Sequence, residues 1–215
     1  MNTLVTTYYE NPELLEIFIE NNFNQDYFSN LIVVDDASSK YPAKDILQHY
    51  DTSNISLFVL TEDVGFNGHA ARNLAAYQTK TKWITFLDVD TTLAPKTFDY
   101  IKDFVAGETE CFLEIWFNQF LIPRNYFLAS GGYDERLNGY HWGDFLFLQR
   151  LYQLFSFYRL DYTTSVLNIK PKEPDTIKKN ELEKISEKVF SETSKNPLDW
   201  HKHKILTFDW KKICL

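Results

Sequence analysis

The sequence predicts an α/β protein with a mostly parallel central sheet flanked by helices. Three observations predict it. Strand-like and helix-like stretches alternate as β-α-β-α-β-α-β over roughly the first 90 residues. Two of the strand-like stretches, LIVV at Leu31–Val34 and WITFL at Trp83–Leu87, carry no charge, as strands buried on both faces do. Each of them runs directly into carboxylates, Asp35-Asp36 and Asp88-Val89-Asp90. In open α/β sheets that carboxyl edge is where ligands bind.

In chain order, Thr3–Tyr8 is a β-branched and aromatic run and reads as the first strand. Asn11-Pro12 starts a helix, with Asn as cap and Pro at the first helical position. Leu14, Ile17, Phe18 and Asn21 follow at helical spacing and are expected to face the sheet. Leu31–Val34 is the second strand, Ala43–Tyr50 a short helix and Ile55–Leu60 the third strand. A glycine-bearing loop, TEDVGFNGHAARN at Thr61–Asn73, leads into a helix through about Tyr77. Trp83–Leu87 is the fourth strand, and Pro95 opens a helix through about Val105. Cys111–Phe117 reads as a strand, and Pro123–Ala129 as a helix stopped by Gly131-Gly132. Asp144–Phe155 reads as a buried helix and Phe157–Ile169 as a strand pair. Lys170–Asn180 is a proline- and lysine-rich linker, and Glu181–Glu192 a charged amphipathic helix. The division expected is one domain over residues 1–169, with residues 170–215 a helical and extended tail packing on it.

Composition excludes several classes. With a net charge of −8 and no long basic run before the C-terminal part, a nucleic-acid partner is disfavoured. Cys111 and Cys214 are the only cysteines, which supports neither a disulfide framework nor a zinc site and fits a reducing compartment. The N-terminus MNTLVTTYYENP lacks the basic and apolar regions of a signal peptide. No apolar stretch approaches the ~20 residues of a membrane-spanning helix. A soluble, cytoplasmic protein is expected, and peripheral membrane association is compatible with it. Aromatic residues make up 17% of the chain, which suits a cleft that stacks sugars or bases as well as a bulky core.

Five separated motifs follow one another in the order of a known family. They are TTYYENPELL, VVDDASS, GFNGHAARN, FLDVDTTL and GGYDERLNGYHWGDFLFLQRL. Together they resemble the family 2-type glycosyltransferases, whose nucleotide-sugar-binding fold is called GT-A and is Rossmann-like. The resemblance covers Thr3–Leu151, roughly two-thirds of the chain. It implies a nucleotide-binding half over residues 1–93 and an acceptor-binding half over 94–169. It also implies a sugar transfer, with inversion, from a nucleotide-diphosphate sugar, most readily a UDP-sugar, to a hydroxyl on a glycan or other acceptor.

The resemblance assigns roles residue by residue. Thr6, Thr7 and Tyr8 would line the nucleotide pocket through backbone groups and a ring face. Asp35 or Asp36 would accept from uracil and ribose; Asp36 can also cap a turn with Ser38. Gly65, Asn67 and Gly68 would let the backbone pass close to the ligand. Arg72 would touch the base or diphosphate, its other reading being a surface helix arginine. Asp88, Val89 and Asp90 form the acidic motif, with Asp88 and Asp90 placed to hold Mn²⁺ or Mg²⁺ against the phosphates. Asp144 aligns with the general base that takes the acceptor's proton, and Asp before an apolar run is also a favoured helix N-cap. Tyr140 and Trp142 flank that base and, with Trp116, are candidates for stacking on an acceptor sugar. The family's usual Glu before the base is Gly143 here. His201 and His203 align with nothing and read as a solvated tail. A non-catalytic nucleotide-sugar or glycan-binding module is the alternative from another class. A sugar nucleotidyltransferase is a further one, although TTYYENP lacks the glycine and lysine of its usual loop.

Overall fold

The computed structural model describes residues 1–65, 67–107, 109–137, 142–168, 184, 187–196, 198 and 204–215. The elements are β1 (Asn2–Tyr8), α1 (Pro12–Asn22), β2 (Asn30–Asp35), α2 (Ala43–Leu47), β3 (Ile55–Leu60), α3 (Gly68–Gln78), β4 (Trp83–Phe86) and β5 (Thr91–Leu93). They continue with α4 (Pro95–Ala106), β6 (Phe112–Trp116), β7 (Gln119–Pro123), α5 (Arg124–Ala129), α6 (Trp142–Leu154), β8 (Phe157–Arg159), α7 (Tyr162–Ser165), β9 (Val166–Asn168) and β10 (Trp210–Ile213). Residues 187–193 are also helical, overlapping the helix expected over Glu181–Glu192 and running one residue past it.

Eight strands form one sheet in the order β10-β3-β2-β1-β4-β7-β6-β8, and β5 and β9 form a separate ribbon. β3, β2, β1 and β4 run parallel. β7 is antiparallel to both β4 and β6, while β8 is parallel to β6 and β10 is antiparallel to β3. The register sets Tyr8 of β1 opposite Asp35 of β2 and Val5 of β1 opposite Phe86 of β4. The Leu87 N–H extends that second pairing by donating to the Val5 carbonyl at 3.0 Å. Asp35, Asp36 and Asp88 therefore leave the sheet at one edge. Because β2 and β4 lie on opposite sides of β1, that edge holds the crevice where such sheets take ligands.

Alternation along the strands sends side chains to two cores. On one face Leu4, Leu31, Val33 and Leu57 pack with Leu15 and Phe18 of α1 and Leu47 of α2. On the other Val5, Val34, Phe86 and Ile122 pack with Ala71 and Leu74 of α3, Phe127 of α5 and Phe147 of α6. The helix starts follow local chemistry. The Asn11 side chain accepts the Leu14 N–H at 3.4 Å ahead of Pro12, and Asn67 accepts from Ala70 at 3.4 Å ahead of α3.

Several sequence expectations shift. The buried face of α1 is Leu14, Leu15, Phe18, Ile19 and Asn22 rather than one carrying Ile17 and Asn21. Asn22 replaces an apolar contact by bonding β5: its amide donates to the Thr91 carbonyl at 2.7 Å and its oxygen accepts from Leu93 at 2.8 Å. The strand β7 has no counterpart in the sequence reading. It is the return arm of a tight hairpin whose turn holds Asn118 at φ 61, a left-handed conformation Asn tolerates. Pro123 ends β7, where a missing N–H costs no ladder bond, and α5 starts only at Arg124. Phe157–Ile169 does contain two strands, but they pair with other partners: β8 with β6, and β9 with β5. The linker Lys170–Asn180 lies outside the described residues. The chain end returns to the domain through Glu135, whose carboxylate accepts from the Leu206 and Thr207 N–H groups at 2.7 and 2.8 Å. Among the described residues no helix is long and apolar enough to cross a membrane.

Phe147 is fully buried and touches Phe120, Phe127 and Tyr133, with the Tyr133 ring stacked at 4.1 Å between centroids. Phe147→Ala is expected to cost about 3–5 kcal/mol of stability by urea unfolding, because rings from three elements cannot collapse into the void.

Candidate active site

Asp88, Val89 and Asp90 make a tight turn between β4 and β5, closed by the Thr91 N–H donating to the Asp88 carbonyl at 3.0 Å. The Asp88 side chain is held on both oxygens. Arg72 Nη2 donates to Oδ1 at 2.5 Å, and Gln119 Nε2 donates to Oδ2 at 3.1 Å. Arg72 is not the surface arginine that a helix position allows; it is 4% exposed. Its Nη1 donates to the Asn118 carbonyl at 2.9 Å and to the Tyr133 hydroxyl at 2.8 Å. Burial alone would lower its pKa; the Tyr133 oxygen, Asp88 and Asp144 outweigh burial and hold the guanidinium above its ordinary value. Asp90 accepts from no other side chain among the described residues. Its carboxyl is pushed up to about 6, by burial first and by the neighbouring Asp88 charge second.

This pair fits a hard divalent cation in part. Two carboxylates crowded enough to raise one pKa make a field that a cation relieves. Asp88 already accepts one hydrogen bond on each oxygen, from Arg72 and Gln119, and Asp90 is the carboxylate of the pair with both oxygens unspent on side chains. Among the described residues no three His, Cys, Asp or Glu side chains are grouped to cage an ion. An ion here would take its remaining ligands from water and a substrate's phosphates, as Mg²⁺ does in phosphate-bound sites.

At the end of β2 the two acids divide their work. Asp35 accepts from the Ser38 and Ala43 N–H groups, each at 2.8 Å, and so caps the turn into α2. The turn with Ser38 that the sequence allowed for Asp36 thus belongs to Asp35. Asp36 is 1% exposed and accepts the Asn67 N–H on Oδ2. Its Oδ1 and the Asn67 side-chain amide nitrogen are both buried without a hydrogen-bond partner among the described residues. Buried polar atoms are rarely left so, and a ligand is one explanation. Of the two acids only Asp36 has an acceptor left to offer. Thr6 also buries its hydroxyl unpartnered, and Thr7 is buried beside it. Tyr8 departs from expectation. Its ring is 1% exposed in the core and its hydroxyl donates to the Tyr41 carbonyl at 2.6 Å, so no ring face is open to a base. Gly65 sits at φ 86 and Gly68 is the first residue of α3, so the backbone turns sharply where Asn67 meets Asp36.

Asp144 is the third residue of α6, inside the first turn rather than at the cap. The helix dipole favours a carboxylate there. Asp144 Oδ1 lies 3.2 Å from His69 Nε2, and His69 Nδ1 lies 2.5 Å from the Leu137 carbonyl. Burial would raise the Asp144 pKa, but the His69 hydrogen bond and charge, then Arg72, then Asn118, bring it below the ordinary carboxylate range. The His69 ring stacks on Tyr133 at 5.2 Å and lies against Gly143. A Cβ at position 143 would sit 2.4 Å from His69 Cε1, so the family's usual Glu has no room beside this ring.

The stacking candidates fare differently. Trp142 packs on Phe190 at 4.4 Å and Trp116 on Tyr162 at 4.9 Å, and both tryptophans are half-buried. Tyr140, His201 and His203 lie outside the described residues. Sequence reading missed His69, Asn118, Gln119 and Tyr133. One signal was legible: Tyr133 stands at the Phe of the family's Gly-Gly-Phe-Asp-Glu stretch, and its extra hydroxyl bonds both Arg72 and Asn118.

Fold and site together define an α/β protein with acidic groups arrayed at the carboxyl edge of its sheet. The glycosyl transferase family 2 model matches residues 3–130, and the chain belongs to that family. Among solved structures it is similar to S. aureus TarS, at 15% identity and a TM-score of 0.64 over 79% of this chain. It is similar also to TarS 1–349 in complex with UDP-GlcNAc, at 15% identity and 0.63 over 80% of this chain, and with UDP, at 15% and 0.63 over 94%. The chain spans 36% of the first of these structures, 59% of the second and 75% of the third. No curated protein matches it.

The Asp36 carboxyl is pushed up to about 7, by burial first and then by the charges of Asp63 and Asp35, against the Asn67 hydrogen bond. A folded pKa above the unfolded one means that the folded chain binds this proton more tightly. The stability it contributes is complete below the unfolded value of 3.8 and is lost as pH rises through about 7. Asp36→Asn keeps the acceptor for Asn67 and removes the charge. In ligand-free protein it is expected to raise Tm more near about pH 8 than near about pH 5. Equal shifts at both would contradict the buried charge.

Proposed function

We propose that this chain transfers a sugar, with inversion, from a nucleotide-diphosphate sugar to a hydroxyl acceptor, and that UDP is the nucleotide. The observation that carries the reading is the pair of acidic stations served by one helix. Through Arg72 α3 holds the turn of Asp88–Asp90, and through His69 it holds Asp144. Membership of family 2 supports the reaction class, and the UDP and UDP-GlcNAc complexes of a similar fold support the donor class.

In this reading residues 1–93 hold the nucleotide and residues 94–169 receive the acceptor, with the chain end closing against the same domain. Asp36 Oδ1 accepts the imide N–H of uracil, with Asn67 beside it. Asp90, with Asp88 held in place behind it, would hold a Mn²⁺ or Mg²⁺. When bound, such an ion supplies Lewis-acid stabilisation of the departing diphosphate. Arg72 adds a fixed positive charge that needs no reorganisation during reaction. Asp144 takes the proton of the acceptor hydroxyl as its oxygen attacks the anomeric carbon from the face opposite the leaving diphosphate. The C–O bond to the diphosphate breaks as the new one forms, which inverts the centre. A lowered pKa keeps Asp144 ionised and ready to accept at neutral pH.

UDP-sugar turnover with Mn²⁺ tests the proposal. Asp90→Ala is expected to abolish metal-dependent UDP binding measured by calorimetry. Asp144→Asn is expected to keep UDP binding and lower kcat by about 100-fold or more, the usual share of a general base. Binding without turnover in the unmodified protein would instead mark a non-catalytic module.

A further inference from the structure

His69 enters the reading above only as a contact to Asp144, yet its ring is closely bracketed. Four groups surround its ring. The Leu137 carbonyl faces Nδ1 at 2.5 Å, Asp144 Oδ1 faces Nε2 at 3.2 Å, Tyr133 stacks on one face at 5.2 Å, and Gly143 lies against its Nε2–Cε1 edge. A carbonyl oxygen can only accept, so Nδ1 carries a hydrogen. The ring is thus held between two oxygens, the Leu137 carbonyl on one nitrogen and the Asp144 carboxyl on the other. The glycine is part of the same device. A Cβ at position 143 would overlap the ring at 2.4 Å from Cε1 and 2.6 Å from Nε2, so this chain exchanges the family's Glu for space that a histidine fills.

We propose that His69 is the positioning residue for the general base: it grips Asp144 through Oδ1 and so aims the carboxylate that takes the acceptor's proton. The proposal rests on the reading of Asp144 as base. The step balances simply. The hydroxyl proton moves to the Asp144 carboxylate, the hydroxyl oxygen forms the new glycosidic bond as the anomeric bond to the diphosphate breaks, and His69 neither gives nor takes a proton. Among the described residues the other titratable and charged groups around the pair are Arg72 and Tyr133, with Asp88 beyond Arg72. Arg72 and Asp88 are paired with each other, and Tyr133 serves as a hydrogen-bond donor to Asn118. His69 is thus the ring that holds Asp144 from the side of α3.

The test compares UDP-GlcNAc hydrolysis with Mn²⁺ in wild type, His69→Gln, His69→Ala, Gly143→Ala and Asp144→Asn, with UDP binding measured for each. A glutamine amide can reach Asp144 from the same side and donate to it. His69→Gln is expected to retain most turnover. His69→Ala is expected to lose about 10- to 100-fold in kcat with UDP affinity unchanged, the scale of a misplaced catalytic group. Gly143→Ala, which keeps both side chains but displaces the ring, should lose turnover similarly. As a readout independent of turnover, the His69 imidazole ¹⁵N shifts of the folded protein should change in Asp144→Asn. Wild-type kcat in His69→Ala, or ring shifts indifferent to Asp144, overturns the role of His69 while an inactive Asp144→Asn leaves the base standing. Full turnover in Asp144→Asn overturns the base itself.

Discussion

The site depends on one buried cation. Arg72 comes out of water almost completely, at 4% exposure, and a guanidinium in that position is tolerated only with its charge and hydrogens matched. Asp88 supplies the charge, and Asn118 and Tyr133 take up the remaining fork. Those three partners come from the turn after β4, the β6–β7 hairpin and the loop ahead of α6. Segments far apart in sequence are therefore tied at one point. The planar fork matters: an ammonium at that place would be a point charge unable to hold carboxylate, carbonyl and hydroxyl in fixed directions.

From that point the geometry of the acidic groups follows. Gln119 bonds the other oxygen of Asp88 and in turn bonds Thr91 at 2.7 Å, so the carboxylate is tied on both sides. The turn it anchors delivers Asp90 with an oxygen unspent. One helical turn back along α3, His69 reaches the opposite wall and meets Asp144. Residues three apart share a helix face, so a single rigid element sets the spacing of two carboxylate stations. The acidic turn lies in a loop, and the helix supplies the precision that the loop lacks.

The same edge also shows where satisfaction stops. Asp35 spends both oxygens on the turn into α2, whereas Asp36 and Asn67 each keep a buried polar atom without a partner. A carboxyl left partly unsatisfied and pushed up to about 7 is a cost the fold carries, and such costs collect at functional sites. Glu135 is the contrast. It is equally buried, but Asn73, Leu206 and Thr207 saturate it, and its effect is to fasten the chain end to α3.

Local chemistry settled much of this protein. Uncharged β-branched runs, the Asn11-Pro12 start and the Gly131-Gly132 stop specify their elements through interactions within a few residues, so LIVV, WITF and α1 are legible without a fold. The acidic motifs are legible for the same reason, since a carboxylate just past a buried strand must emerge at the sheet edge. What tertiary structure decided is every pairing across distance. The strand β7 follows a two-residue hairpin turn that carries no glycine, and it acquires its place only by pairing with β4. Nothing near residue 69 announces a carboxylate 75 positions later, and nothing near Gly143 announces the ring that needs its missing side chain. Arg72 looks like a surface arginine until the sheet closes around it. Periodicity and capping are short-range forces written into neighbouring residues, whereas desolvation and the matching of buried charge exist only once the chain has brought its partners together.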